Sequence, residues 1–384
     1  MNTYHDTAGI TGLSMRVPAW QAGSQSADTL RTLFIEHAAS GDPRLVQQGF
    51  RAFSAELLGR DLIGMDEYAS LFGGHALYQL TVDAAGQLVH AHDGACAHAL
   101  ACRYSRAKYG SIEDIRFFAH RVTSALTAAL DDAASPWRRM FERAGQHGEQ
   151  VVMLTTGWRN VPSTANVLFE IVVEQVNFKL AYLQLPTLIN VKLPRIAPPC
   201  ENYASLTADE RERVSAIQDH VLPASNFYQS PGVHVVFGDD VLVTGGTADK
   251  VYASAMANGA KSFMAIYPLL LDPVVALRDP AVEERLNMTS MSGTFDDAFA
   301  SVLSDRDYVP ILRSLRTLLD EQHQHALPAF LPSVPSRNLS RLYVSALNNE
   351  FLRDPRCAAS LATLRAYLTR EGALDAAGFP LLRA

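Results

Sequence analysis

The residues with the most definite chemistry are two adjacent aspartates, Asp239 and Asp240, which follow an apolar run and precede Thr-Gly-Gly-Thr at Thr244–Thr247. A carboxylate is a pure hydrogen-bond acceptor, so it suits ribose hydroxyls and can hold Mg²⁺ directly or through water. Gly245 and Gly246 permit positive φ, and the helix predicted next offers free N–H groups to a phosphate. The spacing predicts a ribose 5-phosphate site at a strand end, outside the core. The competing interpretation is an ordinary strand–turn–helix connection.

Hydrophobic patterning in the middle of the chain alternates between strands and helices. Strands are predicted over residues 150–155, 186–193, 233–237 and 261–271, with helices over 165–180 and 247–258. Strands separated by helices imply a mostly parallel sheet with crossover connections, so the predicted fold is α/β. The patterning also divides the chain into a mainly helical N-terminal addition (1–145), an α/β core (146–275) and a helical C-terminal addition (276–384).

Two local signals precede this predicted core. Residues 76–92 are strand-like on both sides of a turn at Ala84-Ala-Gly86, which predicts a small hairpin. Further on, Ser111-Ile-Glu-Asp114 has the form of a capping box at the start of a helix. Both signals predict ordered structure well before residue 146.

The segment Val235–Thr247 resembles the 5-phosphoribosyl pyrophosphate (PRPP) signature of type I phosphoribosyltransferases, and its Asp-Asp-Val-Leu-Val-Thr-Gly-Gly-Thr is most similar to the adenine enzymes' version. The resemblance implies transfer of ribose 5-phosphate from PRPP to an acceptor, release of pyrophosphate and use of Mg²⁺. Gly238 departs from the family, which usually has a bulkier apolar residue there. Val243 stands where several purine enzymes have an aspartate that assists the base. We therefore expect a specialised acceptor, activated elsewhere or needing no such help.

The resemblance also implies a role for each part of the site. The 5′-phosphate loop would be Val243, Thr244, Gly245, Gly246 and Thr247, and the pyrophosphate loop Thr156, Gly157, Trp158 and Arg159. Catalytic roles would fall to Asp239, Asp240, Lys192 and Arg195, with Mg²⁺ at the two aspartates. Tyr203 and Arg211 would belong to a lid. For Arg159 and Arg211 an exposed position without function is the alternative, and for Trp158 a hydrophobic plug is favoured over base stacking.

A wider, softer resemblance covers roughly residues 100–350. Tyr104–Gly110, the helix start at Asp114–Ala119, Asn202-Tyr203 and the helical tail are similar to a phosphoribosyltransferase-like family associated with bacterial tellurium-resistance and stress gene clusters. This resemblance implies no particular substrate.

Three cations beside these motifs, Arg103, Arg106 and Lys108, could add positive charge near the site, but the favoured interpretation is a solvated turn. A late His-Gln-His pair, His323 and His325, is interpreted as surface rather than as a metal site, because no third ligand is evident nearby.

Composition narrows the class of protein. The net charge of −7 disfavours a general nucleic-acid binder, and 48% hydrophobic residues favour a large core. Four cysteines without CxxC spacing predict neither a zinc site nor a disulfide framework, which favours a reduced, cytoplasmic compartment. No apolar stretch approaches the roughly 20 residues of a membrane helix, so no membrane partner is expected. The expected partners are PRPP and a small-molecule acceptor, and a homodimer remains open.

Two other functions remain open at this point. The chain could sense PRPP or a ribonucleotide without turnover, which the valine at 243 and the uncertain lid cations allow. It could instead run hydrolytic or reverse chemistry and release a base from a nucleotide. A panel of bases with PRPP and Mg²⁺ would distinguish transferase from sensor.

Overall fold

The central element is a mostly parallel, mixed sheet of seven strands. The structure, a computed structural model, describes residues 65, 74–195, 222–243, 245–349 and 353–381. Within these residues the strands run in the order β2-β1-β7-β5-β3-β4, and β6 also pairs with β7. Their bounds are β1 Gly74–Val82, β2 Leu88–His90, β3 Gln150–Trp158, β4 Leu188–Pro194, β5 Val233–Gly238, β6 Val241–Leu242 and β7 Ser262–Leu271.

Helices make up much of the rest of the described chain. Those before β7 are α1 His98–Ala107, α2 Ile112–Asp131, α3 Pro136–His147, α4 Thr164–Tyr182, α5 Ser225–Gln229 and α6 Gly246–Ala257. Those after it are α7 Pro273–Arg278, α8 Val282–Asn287, α9 Asp297–Ser304, α10 Leu312–Leu319, α11 Leu327–Phe330, α12 Ser336–Asn348 and α13 Pro355–Arg370. None of the helices in the described part of the chain is long and apolar enough to cross a membrane. The predicted α/β class is confirmed.

The predicted hairpin before the core is confirmed as β1 and β2, which pair antiparallel. Its turn forms because the Asp83 carboxylate accepts from the amides of Ala85 and Gln87, at 2.9 and 2.8 Å, and Gly86 takes a φ of 77°. Strand β1 also pairs in parallel with β7. The sheet therefore extends beyond residues 146–275 into the segment expected to be mainly helical.

The chain divides into two compact units. One contains the sheet and comprises the described residues up to Cys96, with Ala119–Thr156 and Phe169–Glu283. The other is mainly helical and comprises Ala97–Phe118, Gly157–Leu168 and the described residues from Glu284 onward.

Burial in the sheet unit follows from helices covering the sheet. Every residue of β5 is buried, as a central parallel strand requires. Phe237 stacks on Phe263 at a centroid distance of 6.1 Å, and Tyr252 of α6 meets Phe263 edge-on at 5.4 Å. These aromatic contacts fix α6 against the middle of the sheet.

In the helical unit, the Tyr104–Gly110 segment has a packing role. Ser105 Oγ donates to the Asn287 carbonyl oxygen at 2.7 Å and accepts from the Ser290 amide at 3.2 Å. The buried Tyr109 hydroxyl contacts the Met288 sulfur at 3.3 Å. The segment thus ties the end of α1 to the end of α8, which gives Ser105 and Tyr109 a packing role.

The interpretation of Arg103 and Arg106 as part of a solvated turn is wrong. Both guanidinium groups bind the carboxylate of Asp114, which is 2% exposed, at distances of 3.0 and 2.7 Å. The hydrogen bond that Arg106 donates to Asp114 raises the pKa of Arg106. The capping pair is confirmed, since Ser111 Oγ donates to Asp114 Oδ2 at 2.8 Å and accepts from its amide. The cluster satisfies a buried charge and joins α1 to the start of α2.

A buried histidine joins the beginnings of three strands in the sheet unit. His234 is 1% exposed, its Nε2 lies 2.8 Å from Glu149 Oε2, and its Nδ1 lies 2.8 Å from Ser262 Oγ. A carboxylate can only accept, so Nε2 carries the proton and Nδ1 accepts from the serine hydroxyl. The pKa of His234 is lowered, chiefly by burial and further by Arg143 and Lys261, while Glu149 opposes the shift.

This lowered pKa predicts a stability loss on the acid side. The unfolded histidine binds a proton near its ordinary pKa of about 6.5, whereas the folded one binds it only at lower pH. We expect the free energy of unfolding to be highest above that pKa and to fall with pH by at most about 1.4 kcal/mol per unit from this residue. Denaturant unfolding of the wild type and of His234→Gln, between about pH 8 and pH 5, measures this pH dependence of the free energy of unfolding. Identical pH profiles of the two proteins would contradict this expectation.

Candidate functional site

The two aspartates lie in an interruption of one strand. Gly238 at the end of β5 pairs with Ile266, and Val241 at the start of β6 pairs with Leu269, three residues further on in each strand. The register along β7 is therefore the same before and after the interruption. Asp239 and Asp240 thus occupy two positions that a continuous strand would fill, with no extra residue inserted. They follow the carboxyl end of β5, as the sequence predicted, and the strand then resumes.

The two carboxylates have different surroundings. Asp240 is only 6% exposed, whereas Asp239 is partly exposed. The amide of Asp240 donates to Asp239 Oδ1 at 3.0 Å. The expectation that both side chains lie outside the core is thus wrong for Asp240. Its burial makes it the less hydrated acceptor, and a hydrogen bond to a buried carboxylate is stronger than one in water.

The Gly-Gly segment after β6 opens a helix. Gly245 is the N-cap of α6, has a φ of 74° and ψ of −2°, and as a glycine offers no side-chain cap of its own. The first amides of a helix have no partner within it. Left-handed φ explains the glycine at 245, and the helix begins at Gly246, one residue before the predicted Thr247. Val243 is buried, at 7% exposed.

The later part of β3 lies beside the end of β5 in the sheet. Thr155 pairs with Gly238, so Thr156 follows Thr155 as Asp239 follows Gly238. Both threonines are buried, at 0% and 7% exposed. The strand runs on to Trp158, so the loop predicted to begin at Thr156 begins later. Thr156, the first residue of the predicted pyrophosphate loop, belongs to the same compact unit as the acidic pair, the one that contains the sheet.

The remaining predicted loop residues, Gly157, Trp158 and Arg159, belong to the helical unit. Gly157 has a φ of 85°, which favours glycine. The carbonyl of Arg159 accepts from Asn349 Nδ2 at 2.9 Å, and the side chains of Trp158 and Arg159 are partly exposed. The backbone of this loop is therefore held by the end of α12, with side chains that solvent can reach.

The start of α4 ends that loop in a reciprocal cap. The Ser163 amide donates to Asn166 Oδ1 at 2.9 Å, and the Asn166 amide donates to Ser163 Oγ at 3.2 Å. Asn166 is 0% exposed. Its N–H group, in the first turn of α4, is thereby satisfied by the side chain of Ser163, which precedes the helix.

The predicted cations after β4 have different positions. Lys192 lies inside β4, and its Nζ is 2.7 Å from Glu170 Oε2 of α4. Lys192 thus belongs to the strand, as predicted for residues 186–193, and the neighbouring carboxylate offsets its charge. Arg195 follows the strand and is partly exposed. Of these two predicted cations, Arg195 is therefore the one that lies beyond the strand end.

Gly238 has a packing explanation that the sequence did not reveal. A Cβ at this position would lie 2.7 Å from both Cγ and Cδ2 of Phe169, a residue of α4 that is 0% exposed. The ring thus covers the glycine backbone directly. The family's usual bulkier residue would not fit against this phenylalanine.

Some predicted site residues lie outside the described part of the chain. These are Thr244 of the phosphate loop and Tyr203 and Arg211 of the lid.

Among the described residues, no group of three or more His, Cys, Asp or Glu side chains is arranged to hold a metal ion. For His323, the structure shows packing against Phe295 at a centroid distance of 5.2 Å, while His325 is exposed. Any ion at Asp239 and Asp240 would need further oxygen ligands from a substrate or water.

No protein-family model, curated protein or solved structure matches the chain. The function is therefore inferred from the residues themselves.

Proposed function

We propose that this chain is a phosphoribosyltransferase of the type I kind, which transfers ribose 5-phosphate from PRPP to a small-molecule acceptor and releases pyrophosphate. The observation that carries the proposal is the segment from Gly238 to α6. Two carboxylates interrupt a strand without changing its register, and a left-handed glycine, Gly245, is the N-cap of the helix that follows. Acceptors for hydroxyls and donors for a phosphate thus lie within one short stretch of chain.

Each group has a role in this reaction. Asp239 and Asp240 would accept hydrogen bonds from the ribose hydroxyls, and the amides at Gly246 and Thr247 would bind the 5′-phosphate. Thr156, beside the acidic pair in the sheet, would contribute to pyrophosphate binding. Holding both ends of the ribose phosphate fixes its C1 relative to the acceptor, which is the main protein contribution when positioning dominates catalysis.

Carboxylate oxygens are ligands that Mg²⁺ prefers, so Asp239 and Asp240 fit this ion. Bound there, Mg²⁺ would offset negative charge on the departing pyrophosphate. The partly exposed Asp239 is the better candidate for a water-mediated contact, and the buried Asp240 for a direct bond to a hydroxyl.

The acceptor is proposed to be a specialised molecule rather than a common base. Val243 is buried and apolar, so it offers no carboxylate to an acceptor nitrogen. Adenine, guanine, hypoxanthine and orotate are therefore expected to be poor acceptors, with kcat/KM below the usual enzyme range of roughly 10⁴–10⁸ M⁻¹s⁻¹.

Isothermal titration calorimetry with PRPP tests the proposal. With Mg²⁺ we expect a dissociation constant on the order of 1 μM to 1 mM, similar to typical KM values, and much weaker binding when EDTA removes the metal. Ribose 5-phosphate is a matched control, because it keeps the 5′-phosphate and hydroxyls but lacks pyrophosphate. Absence of PRPP binding with Mg²⁺ present would refute the proposal.

A second candidate is a sensor that binds PRPP or a ribonucleotide without turnover. The ion pair of Lys192 with Glu170 favours it, since one predicted pyrophosphate cation is already neutralised. Pyrophosphate release in the presence of bases and other nitrogen nucleophiles distinguishes the two. Release with an acceptor supports the transferase, binding without release supports the sensor, and base release from a nucleotide supports the hydrolytic or reverse reaction.

A further inference from the structure

The contact between Phe169 and Gly238 lies next to the acidic pair. Gly238 is the last residue of β5, and Asp239 follows it directly. A Cβ on Gly238 would lie 2.7 to 2.8 Å from three ring carbons of Phe169, closer than real Cβ contacts. The ring face therefore lies against the backbone at the point where the strand is interrupted.

This contact is rigid on both sides. Phe169 is fully buried on α4, and Gly238 is held between Thr155 of β3 and Ile266 of β7. A strand residue paired on both sides can shift only by straining both ladders. The ring likewise has no room to rotate away in a close-packed interior. The distance between the end of β5 and α4 is thus set by the ring of Phe169 and by the absence of a side chain at Gly238.

We propose that Phe169 is a positioning residue, which acts through Gly238 to place Asp239 and Asp240 for the ribose hydroxyls. The identity of the ligand rests on the proposed function, whereas the effect of Phe169 on the positions of the two carboxylates does not. Phe169 touches no reacting group in this proposal. Enlarging residue 238 would push the strand end away from α4 and displace both carboxylates by a few tenths of an ångström or more, which weakens geometry-dependent hydrogen bonds.

The test compares Gly238→Ala, Phe169→Leu and the double variant. Hydrogen exchange measured by mass spectrometry on peptides covering 238–247 reports the positioning without a ligand. We expect Gly238→Ala to speed hydrogen exchange in these peptides about tenfold. In the double variant the exchange rate should return to within about threefold of wild type, because leucine at 169 leaves room for the added Cβ at 238. Calorimetry with PRPP and Mg²⁺ should show the same order, with an affinity loss of at least about tenfold in Gly238→Ala and recovery in the double variant.

Gly259→Ala is the matched control for lost stability. Gly259 has a φ of 94°, and a Cβ added there would lie 2.9 Å from the side chain of Gln229. Gly259 precedes β7 and therefore lies at the opposite end of that strand from its pairing with β6. It should destabilise the sheet unit without changing exchange at 238–247 or PRPP affinity.

The outcomes separate the two proposals. If Gly238→Ala exchanges like wild type at 238–247, or if Phe169→Leu does not rescue it, the positioning role is overturned whatever the protein binds. If the wild type fails to bind PRPP with Mg²⁺, the proposed function is overturned, and the exchange result alone decides the positioning role.

Discussion

The double substitution Asp239→Asn with Asp240→Asn is expected to weaken PRPP binding strongly while the protein stays folded. Each charge-assisted hydrogen bond lost should weaken binding by about 1.5–3 kcal/mol, so two together amount to roughly 10²–10⁴-fold. Asparagine keeps the volume of aspartate, and its carbonyl oxygen at 239 can still accept the amide of residue 240. Calorimetry with PRPP and Mg²⁺ measures the loss, and circular dichroism checks the fold.

A charge-matched control separates local from global effects. Asp93→Asn with Asp297→Asn removes the same two negative charges at exposed positions. This variant should bind PRPP as the wild type does, because exposed charges are screened by water and salt. Equal affinities of the acidic-pair variant and the wild type would remove Asp239 and Asp240 from the site.

The largest expected effect on stability comes from Gly110→Ala. Gly110 has a φ of 96°, and a Cβ there would lie 2.3 Å from the carbonyl oxygen of Val309 and 2.8 Å from Cε2 of Tyr308. Tyr308 is 0% exposed and belongs to the core of the helical unit, so it cannot move aside easily. Backbone strain of about 1–3 kcal/mol adds to overpacking of about 1–3 kcal/mol, for a total near 4 kcal/mol. Denaturant unfolding, or soluble yield if the variant does not fold, measures the effect.

Gly94→Ala isolates the packing part of that loss. Gly94 also has a positive φ, of 68°, but an added Cβ would meet nothing within 4 Å. It should lower the free energy of unfolding by only about 1 kcal/mol, from backbone strain alone. If the two alanine variants unfolded with similar free energies, the crowding around Gly110 would have no energetic weight.

What the sequence determined by itself was local. The hairpin, the cap at Ser111 and the helix at 246–257 depend on residues within a few positions of one another, whose dihedral preferences and short hydrogen bonds are set by the chain. The candidate site was predictable for the same reason, since the acidic pair and the phosphate loop lie within nine residues of each other. Its ligand remains a prediction.

The tertiary structure decided which distant groups meet. It paired Lys192 with Glu170, brought two arginines to Asp114, buried Asp240 and set the ring of Phe169 against Gly238. It also placed β1 beside β7, although almost the whole predicted core separates them in sequence. Such contacts depend on how helices and strands pack as wholes, and many partners of similar polarity and size are compatible with the same local pattern. A sequence pattern therefore identified the acidic pair, but only packing determined how each carboxylate is held.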